Sequence, residues 1–243
     1  MDNAALQATL PSLPPGGLAV VVGASGGIGA ALLHALEASG LFAKVVGLSR
    51  SNTPTLDLLD EQSIQACAQN VQAHGLALRL VMDATGFLHN STWSPEKSWQ
   101  QLDPAHMAHS FAVNAIGPAL LMKHLLPLLP REGKSVFVTL SAKVGSIGDN
   151  RLGGWYSYRA SKAALNQLVH TAAIELRRKH PQAVCIALHP GTVDTGLSTP
   201  FAKTGLEVRT PEQAALRLLA VLEGLTAADS GGFFNHDGSP LPW

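Results

Sequence analysis

A net charge of either sign is what this 243-residue sequence lacks most plainly: 17 Lys and Arg balance 17 Asp and Glu. That balance argues against nucleic acid and anionic membrane surfaces as partners. Cysteine is scarce. Cys67 and Cys185 stand far apart with no CxxC pairing, and read as small buried apolar residues in a reducing compartment. Although 46% of residues are hydrophobic, no uninterrupted apolar run approaches the ~20 residues of a membrane span. The start Met1-Asp2-Asn3 lacks the basic opening of a signal peptide, so a cytoplasmic location is expected. Ten histidines include no HExxH grouping. His106 and His109 share a helical face without Cys or carboxylate companions and are expected at the surface, so no metal site is predicted. There is no internal repeat and no low-complexity linker, and the length suits one domain with a substantial core.

What is present is alternation. After an irregular, Pro/Gly-punctuated lead-in over 1–17, strand-like runs fall at 18–22, 43–48, 77–82, 135–140, 184–188 and 232–235, with 55–58 a further short candidate. Helical patterns occupy 27–39, 61–73, 104–129, 155–180 and 211–223. Strand–helix alternation through 18–243 predicts an α/β domain with right-handed crossovers and a doubly wound, mainly parallel sheet. Ligands of such sheets bind at the carboxyl ends of the strands, where Gly23, Gly86, Ser141 and Gly191 fall.

Two motifs carry chemistry. The apolar run Leu18–Val22 ends in Gly23-Ala24-Ser25-Gly26-Gly27-Ile28-Gly29, and an amphipathic stretch follows. In that context Gly23 permits a tight turn and Gly27 lets the backbone approach a pyrophosphate. Gly29 allows the helix to pack close, and the helix N-terminus supplies N–H donors. The second motif is Tyr158 with Lys162, four apart and therefore on one face of a helix. A fixed cation beside a phenol favours phenolate and would make Tyr158 a usable proton donor or acceptor. Tyr156 is a rival, but its neighbour one turn on is Ala160.

Together these residues resemble the short-chain dehydrogenase/reductase family over nearly the whole chain. The family's G-x-x-x-G-x-G falls on Gly23, Gly27 and Gly29, its helix asparagine on Asn114, and its Tyr and Lys on Tyr158 and Lys162. Its Pro-Gly falls on Pro190-Gly191, followed by Val193 and Thr195. The stretch 145–150 and the ending 237–243 look like the C-factor-type branch. The resemblance implies a single-domain Rossmann-type fold. It also implies a dinucleotide bound along Ser25 and Ile28 in the loop, Ala84, Thr85 and Gly86 after the third strand, and Asp57 and Leu58 near the adenine. Ser49 is neutral and Arg50 can pair with a 2′-phosphate, which favours NADP(H), with NAD(H) the alternative. Tyr158 would then pass a proton to a carbonyl while reduced nicotinamide gives hydride. Lys162 would contact the ribose, and Asn114 would hold a water. The segments 104–129 and 155–180 resemble interface helices of a homodimer or homotetramer.

There are two departures. The family's serine after the strand at 135–140 falls on Ala142, leaving Ser141 as the expected stand-in, or Ser146 further on. Losing an oxyanion donor costs about two to three orders of magnitude in rate. Asp83-Ala84-Thr85-Gly86 stands where the family has Asn-Asn-Ala-Gly, so Asp83 must bond differently with its neighbouring strands. The reading is an NADP(H)-dependent carbonyl reductase or alcohol dehydrogenase acting on a small molecule. A dinucleotide-binding sensor with little turnover is the alternative.

Overall fold

The computed structural model describes residues 10–198 and 207–243. Six parallel strands form the central sheet: β1 (Leu18–Val22), β2 (Lys44–Leu48), β3 (Leu78–Asp83), β4 (Ser135–Leu140), β5 (Ala183–His189) and a last strand Phe233–Asn235. Between β5 and that strand, β6 (Thr192–Val193) and β7 (Val208–Arg209) pair separately, so Phe233–Asn235 is β8. The order β2-β1-β3-β4-β5-β8 places β1 and β3–β5 inside the sheet, where their apolar runs are covered on both faces. On one face lie α1 (Gly27–Ala38) and, further along the chain, a helix at Pro211–Gly224. On the other lie α2 (Glu61–Ala73), α3 (Pro104–Phe111), α4 (Gly117–Leu125) and α5 (Tyr156–Lys179), which makes Pro211–Gly224 α6. Alternate strand residues feed the two cores: Val20, Val22 and Phe137 pack toward α2 and α5, whereas Ala19, Val21 and Val138 pack toward α1 and α6. Leu10 and Leu13, in the expected lead-in, are each 2% exposed and join the α1–α6 core.

Local signals explain the helix starts. Asp60 accepts from Gln62 N–H ahead of α2, Asp103 accepts from His106 N–H ahead of α3, and Thr210 with Gln213 closes a capping box on α6. The expected helix over 104–129 does not run through as α-helix. Its middle, Ala112–Ile116, is a π-turn and its end, Leu126–Leu128, is 3₁₀. Pro118 has no N–H for the carbonyl of Asn114, and Pro127 has none for that of Lys123. At both places the ladder must therefore shift. By length and composition the helical run Pro104–Leu128 could cross a bilayer. In the fold it packs against α2 and α5. The candidate strand at 55–58 does not form, because Leu56 N–H turns back to the Ser49 carbonyl and Asp57 enters a turn closed by Ser63.

Candidate active site

The glycine loop is fastened at the carboxyl end of β1. Gly23 and Ala24 N–H both donate to the Leu48 carbonyl at the end of β2, at 2.8 and 3.2 Å, and Gly26 N–H returns to Gly23 O at 2.9 Å. Gly23 has φ +80°, a left-handed conformation suited to glycine. At Gly29 a Cβ would stand 2.1 Å from Gly23 O, so only glycine allows α1 to start this close to β1. The N-terminus of α1 carries no side-chain cap and no acidic residue in its first turn. Ser25, Gly26 and Gly27 are exposed and Ile28 half-buried. Open N–H donors and positive helix dipole fit a pyrophosphate.

Around this loop, Ser49 is buried and its hydroxyl bonds to Asn52 Oδ1, while Arg50 stands exposed at the end of β2. Asp57 Oδ1 accepts from Leu59 N–H at 2.9 Å, which shapes its turn, and Leu58 packs over Gly117. Asp83 is 1% exposed and ties three elements. It accepts from Thr85 N–H at 3.0 Å, Thr85 Oγ1 at 2.6 Å and, across the sheet, Thr139 Oγ1 at 2.6 Å. Ala84 N–H donates to Val22 O at 2.9 Å. The departure at Asp83 is thus absorbed as a strand-end clamp, with burial pushing the carboxyl above its ordinary range. Pro190 and Gly191 form the turn between β5 and β6, Gly191 at φ +79°, and Val193 is buried on β6.

Two of the catalytic candidates, Lys162 and Asn114, meet at Gly86. A methyl placed on Gly86 would stand 3.7 Å from Lys162 Nζ and 3.8 Å from Asn114 Oδ1. Asn114 is fully buried on the π-turn and grips the backbone of Phe87 from both sides. Its Oδ1 accepts from Phe87 N–H at 2.7 Å, and its Nδ2 donates to Phe87 O at 2.8 Å and to Ser161 Oγ at 3.1 Å. Lys162 Nζ donates to Leu140 O at 2.8 Å and lies 6.0 Å from the Tyr158 ring centre. Burial pushes Lys162 down to about 8 against the opposing pull of Asp83. The expectation that Lys162 holds the Tyr158 phenol below its usual range is corrected for the chain by itself: burial pushes the phenol up. The ammonium is turned toward the Leu140 carbonyl, and desolvation of the phenolate is the larger effect.

Ser141 does not join this group. Its hydroxyl donates to Asn166 Oδ1 on α5 at 2.6 Å, and its N–H donates to Leu188 O. Ala142 follows in extended backbone, φ −141° and ψ 140°, so its methyl faces away from that bond. Ser146 is also engaged, accepting from Asp149 N–H at 3.0 Å and donating to Trp243 O at 3.3 Å. The expected surface positions of His106 and His109 are corrected as well. His106 is 4% exposed and stacks on Trp93 with ring centres 5.6 Å apart, while His109 meets Phe87 edge-on at 4.5 Å. Phe87 and Trp93, from the segment after β3, provide the surface on which the His106 ring is buried and the His109 ring half-buried, a contact with no short-range signature.

The glycine loop, the Asn114–Tyr158–Lys162 group and the Pro190–Gly191 turn line up along the carboxyl ends of one parallel sheet. The short chain dehydrogenase profile matches residues 17–205. The chain belongs to the short-chain dehydrogenase family. It is 34% identical over 190 residues to the 1-hydroxy-2-glutathionyl-2-methyl-3-butene dehydrogenase of Rhodococcus sp. strain AD45, covering 78% of this chain and 79% of that one. It is 36% identical over 144 residues to the C-signal protein of Myxococcus xanthus, covering 58% and 81%, which puts it in the C-factor-like branch. The fold superposes on the NADPH-bound carbonyl reductase from chicken fatty liver with TM-score 0.82 and 25% identity, covering 98% of both chains. As a short-chain dehydrogenase it is an NAD(P)-dependent oxidoreductase.

Proposed function

We propose that this short-chain dehydrogenase reduces a carbonyl to an alcohol, or runs the reverse reaction, with NADP(H) as its preferred cofactor. The observation that carries the reading is the meeting of Asn114 and Lys162 at Gly86 after β3, with the Tyr158 ring centre 6.0 Å from Lys162 Nζ, in a chain whose first helix has an N-terminus left open for a pyrophosphate. The bound dinucleotide supplies the hydride. The loop Gly23–Gly29 and the start of α1 would hold its phosphates, Ala84, Thr85 and Gly86 its adenosine side, and Pro190, Gly191 and Val193 its nicotinamide end. Asp57 and Leu58 would hold the adenine end, and Arg50, beside Ser49, would meet a phosphate on its ribose. Arg50, exposed and without an acidic neighbour in Ser49-Arg50-Ser51, suits a 2′-phosphate. The NADPH-bound carbonyl reductase and an NADP-bound short chain dehydrogenase from Burkholderia cenocepacia share the fold and support the cofactor assignment.

In the reduction, Tyr158 donates its proton to the developing alkoxide. A phenol that is un-ionised at neutral pH suits that direction. Lys162, anchored to Leu140 O, orients the ribose and compensates the phenolate left behind; Asn114 fixes the Phe87 backbone at the floor of the site. Since Ser141 donates to Asn166 and Ser146 to the Trp243 carbonyl, Tyr158 is the hydroxyl left to serve the substrate oxygen. Tyr158→Phe tests the reading: NADPH oxidation with an accepted carbonyl should fall by about three orders of magnitude while NADPH still binds. Turnover at the wild-type rate would refute it.

A further inference from the structure

The chain enters α5 through three consecutive left-handed residues, Gly153, Gly154 and Trp155, at φ of 64°, 65° and 53°. Trp155 is the only non-glycine among the described residues with positive φ, and α5 has no capping side chain from its own N-cap residue. A non-glycine in this region persists only where its surroundings over-determine it. They come from the segment after β3. The backbone carbonyl of Glu96 accepts from Trp155 N–H at 2.5 Å. Its carboxylate accepts from Ser157 N–H at 3.2 Å and from the Ser157 hydroxyl. Glu96 is 3% exposed and Ser157 fully buried.

We propose that Glu96 is a positioning residue for Tyr158, fixing the first turn of α5 from outside the helix and so setting where the phenol stands. Ser157 immediately precedes Tyr158, and Trp155 meets the Tyr158 ring edge-on with centres 6.2 Å apart. Both residues that Glu96 holds are therefore direct neighbours of the phenol. The carboxylate is itself fixed: Glu96 Oε1 lies 3.3 Å from His106 Nδ1, and the His106 ring stacks on Trp93 and meets Phe87. Since Asn114 grips Phe87, the chain of contacts joins the floor of the site to the start of α5. Arg159 moors the same entry turn on the other side, donating to Gly154 O, Gly153 O and Val144 O, but it rides on α5 and does not bond the residue before Tyr158.

The inference rests on Tyr158 as proton donor, and the experiment separates the two. The chain has two tyrosines, so full-length protein labelled with 3-fluorotyrosine gives two ¹⁹F resonances that Tyr158→Phe assigns. Glu96→Ala is expected to shift or broaden the Tyr158 resonance. It should also lower kcat for NADPH-dependent carbonyl reduction by about tenfold to a hundredfold, with KM for NADPH changed by less than about twofold. Glu96→Gln, which keeps an acceptor for Ser157 N–H, should restore most of both. If Glu96→Ala does not fold, Ser157→Ala carries the test, with a smaller displacement of the same resonance and a smaller loss of kcat. An unmoved Tyr158 resonance overturns the inference, as does a fall in NADPH affinity matching that in kcat. Turnover that survives Tyr158→Phe overturns the proposed reaction instead, and leaves the fluorine comparison standing.

Discussion

His189 offers a test of the site's electrostatics that needs no substrate. It ends β5, next to Pro190-Gly191, and its Nδ1 is buried without a hydrogen-bond partner. Burial, then the positive charge of His236, Lys143 and Arg209, push it from 6.5 down to about 4. The folded state therefore holds His189 neutral where the unfolded chain would protonate it, so stability is full above about pH 6.5 and is lost as pH falls toward 4. Near pH 5 the unfolded histidine is almost wholly charged and the folded one almost wholly neutral, a loss of about 2 kcal/mol. The assay is urea unfolding followed by tryptophan fluorescence at about pH 7.5 and about pH 5, for the wild type and His189→Gln. His236 is also pushed down, but it contributes to both proteins and cancels in the difference. The wild type should lose about 2 kcal/mol more than the variant on acidification. Equal losses would refute the claim that His189 is held neutral by its surroundings.

Arg50→Ala should weaken NADPH by about 1.5–3 kcal/mol, the worth of one charge-assisted contact, and leave NADH nearly unchanged in fluorescence titration; equal losses would sink the NADP assignment. Ala142→Ser restores a hydroxyl on the side of the strand end opposite the Ser141–Asn166 bond, and kcat should rise, up to about a hundredfold, if the substrate oxygen lacks a second donor. No change in kcat would mean that another group already serves that oxygen. Between α4 and α5, Ala119, Leu126, Leu168 and Ala172 line a groove flanked by Lys123, Glu175 and Lys179, with Leu168 exposed, and a second copy of the chain should cover it. A monomer mass in sedimentation equilibrium at micromolar concentration would refute that.

The sequence by itself determined the sheet and the glycine loop, because both are written in short-range patterns. Leu18–Val22 followed by Gly23–Gly29 is one strand, one turn and one helix start; the left-handed φ of Gly23 and the approach of Gly29 to Gly23 O are set within the loop, whereas Gly27 lies against Thr195 and Pro211. Tyr158 and Lys162 were legible for the same reason, since four residues on a helix is a local relation. The break at Asn114 was also local, being the absent N–H of Pro118 four residues on, although the apolar periodicity of 104–129 conceals it. Tertiary structure alone decided which side chains were free to act. Ser141 is removed from the site by Asn166, 25 residues later, and His106 is drawn inward by Trp93 and Glu96. Nothing in Pro95-Glu96-Lys97 marks a carboxylate that closes a helix 61 residues further along. Likewise the ionisation of Tyr158, Lys162 and His189 is governed by burial, which depends on everything packed around them and not on the residues beside them in the chain.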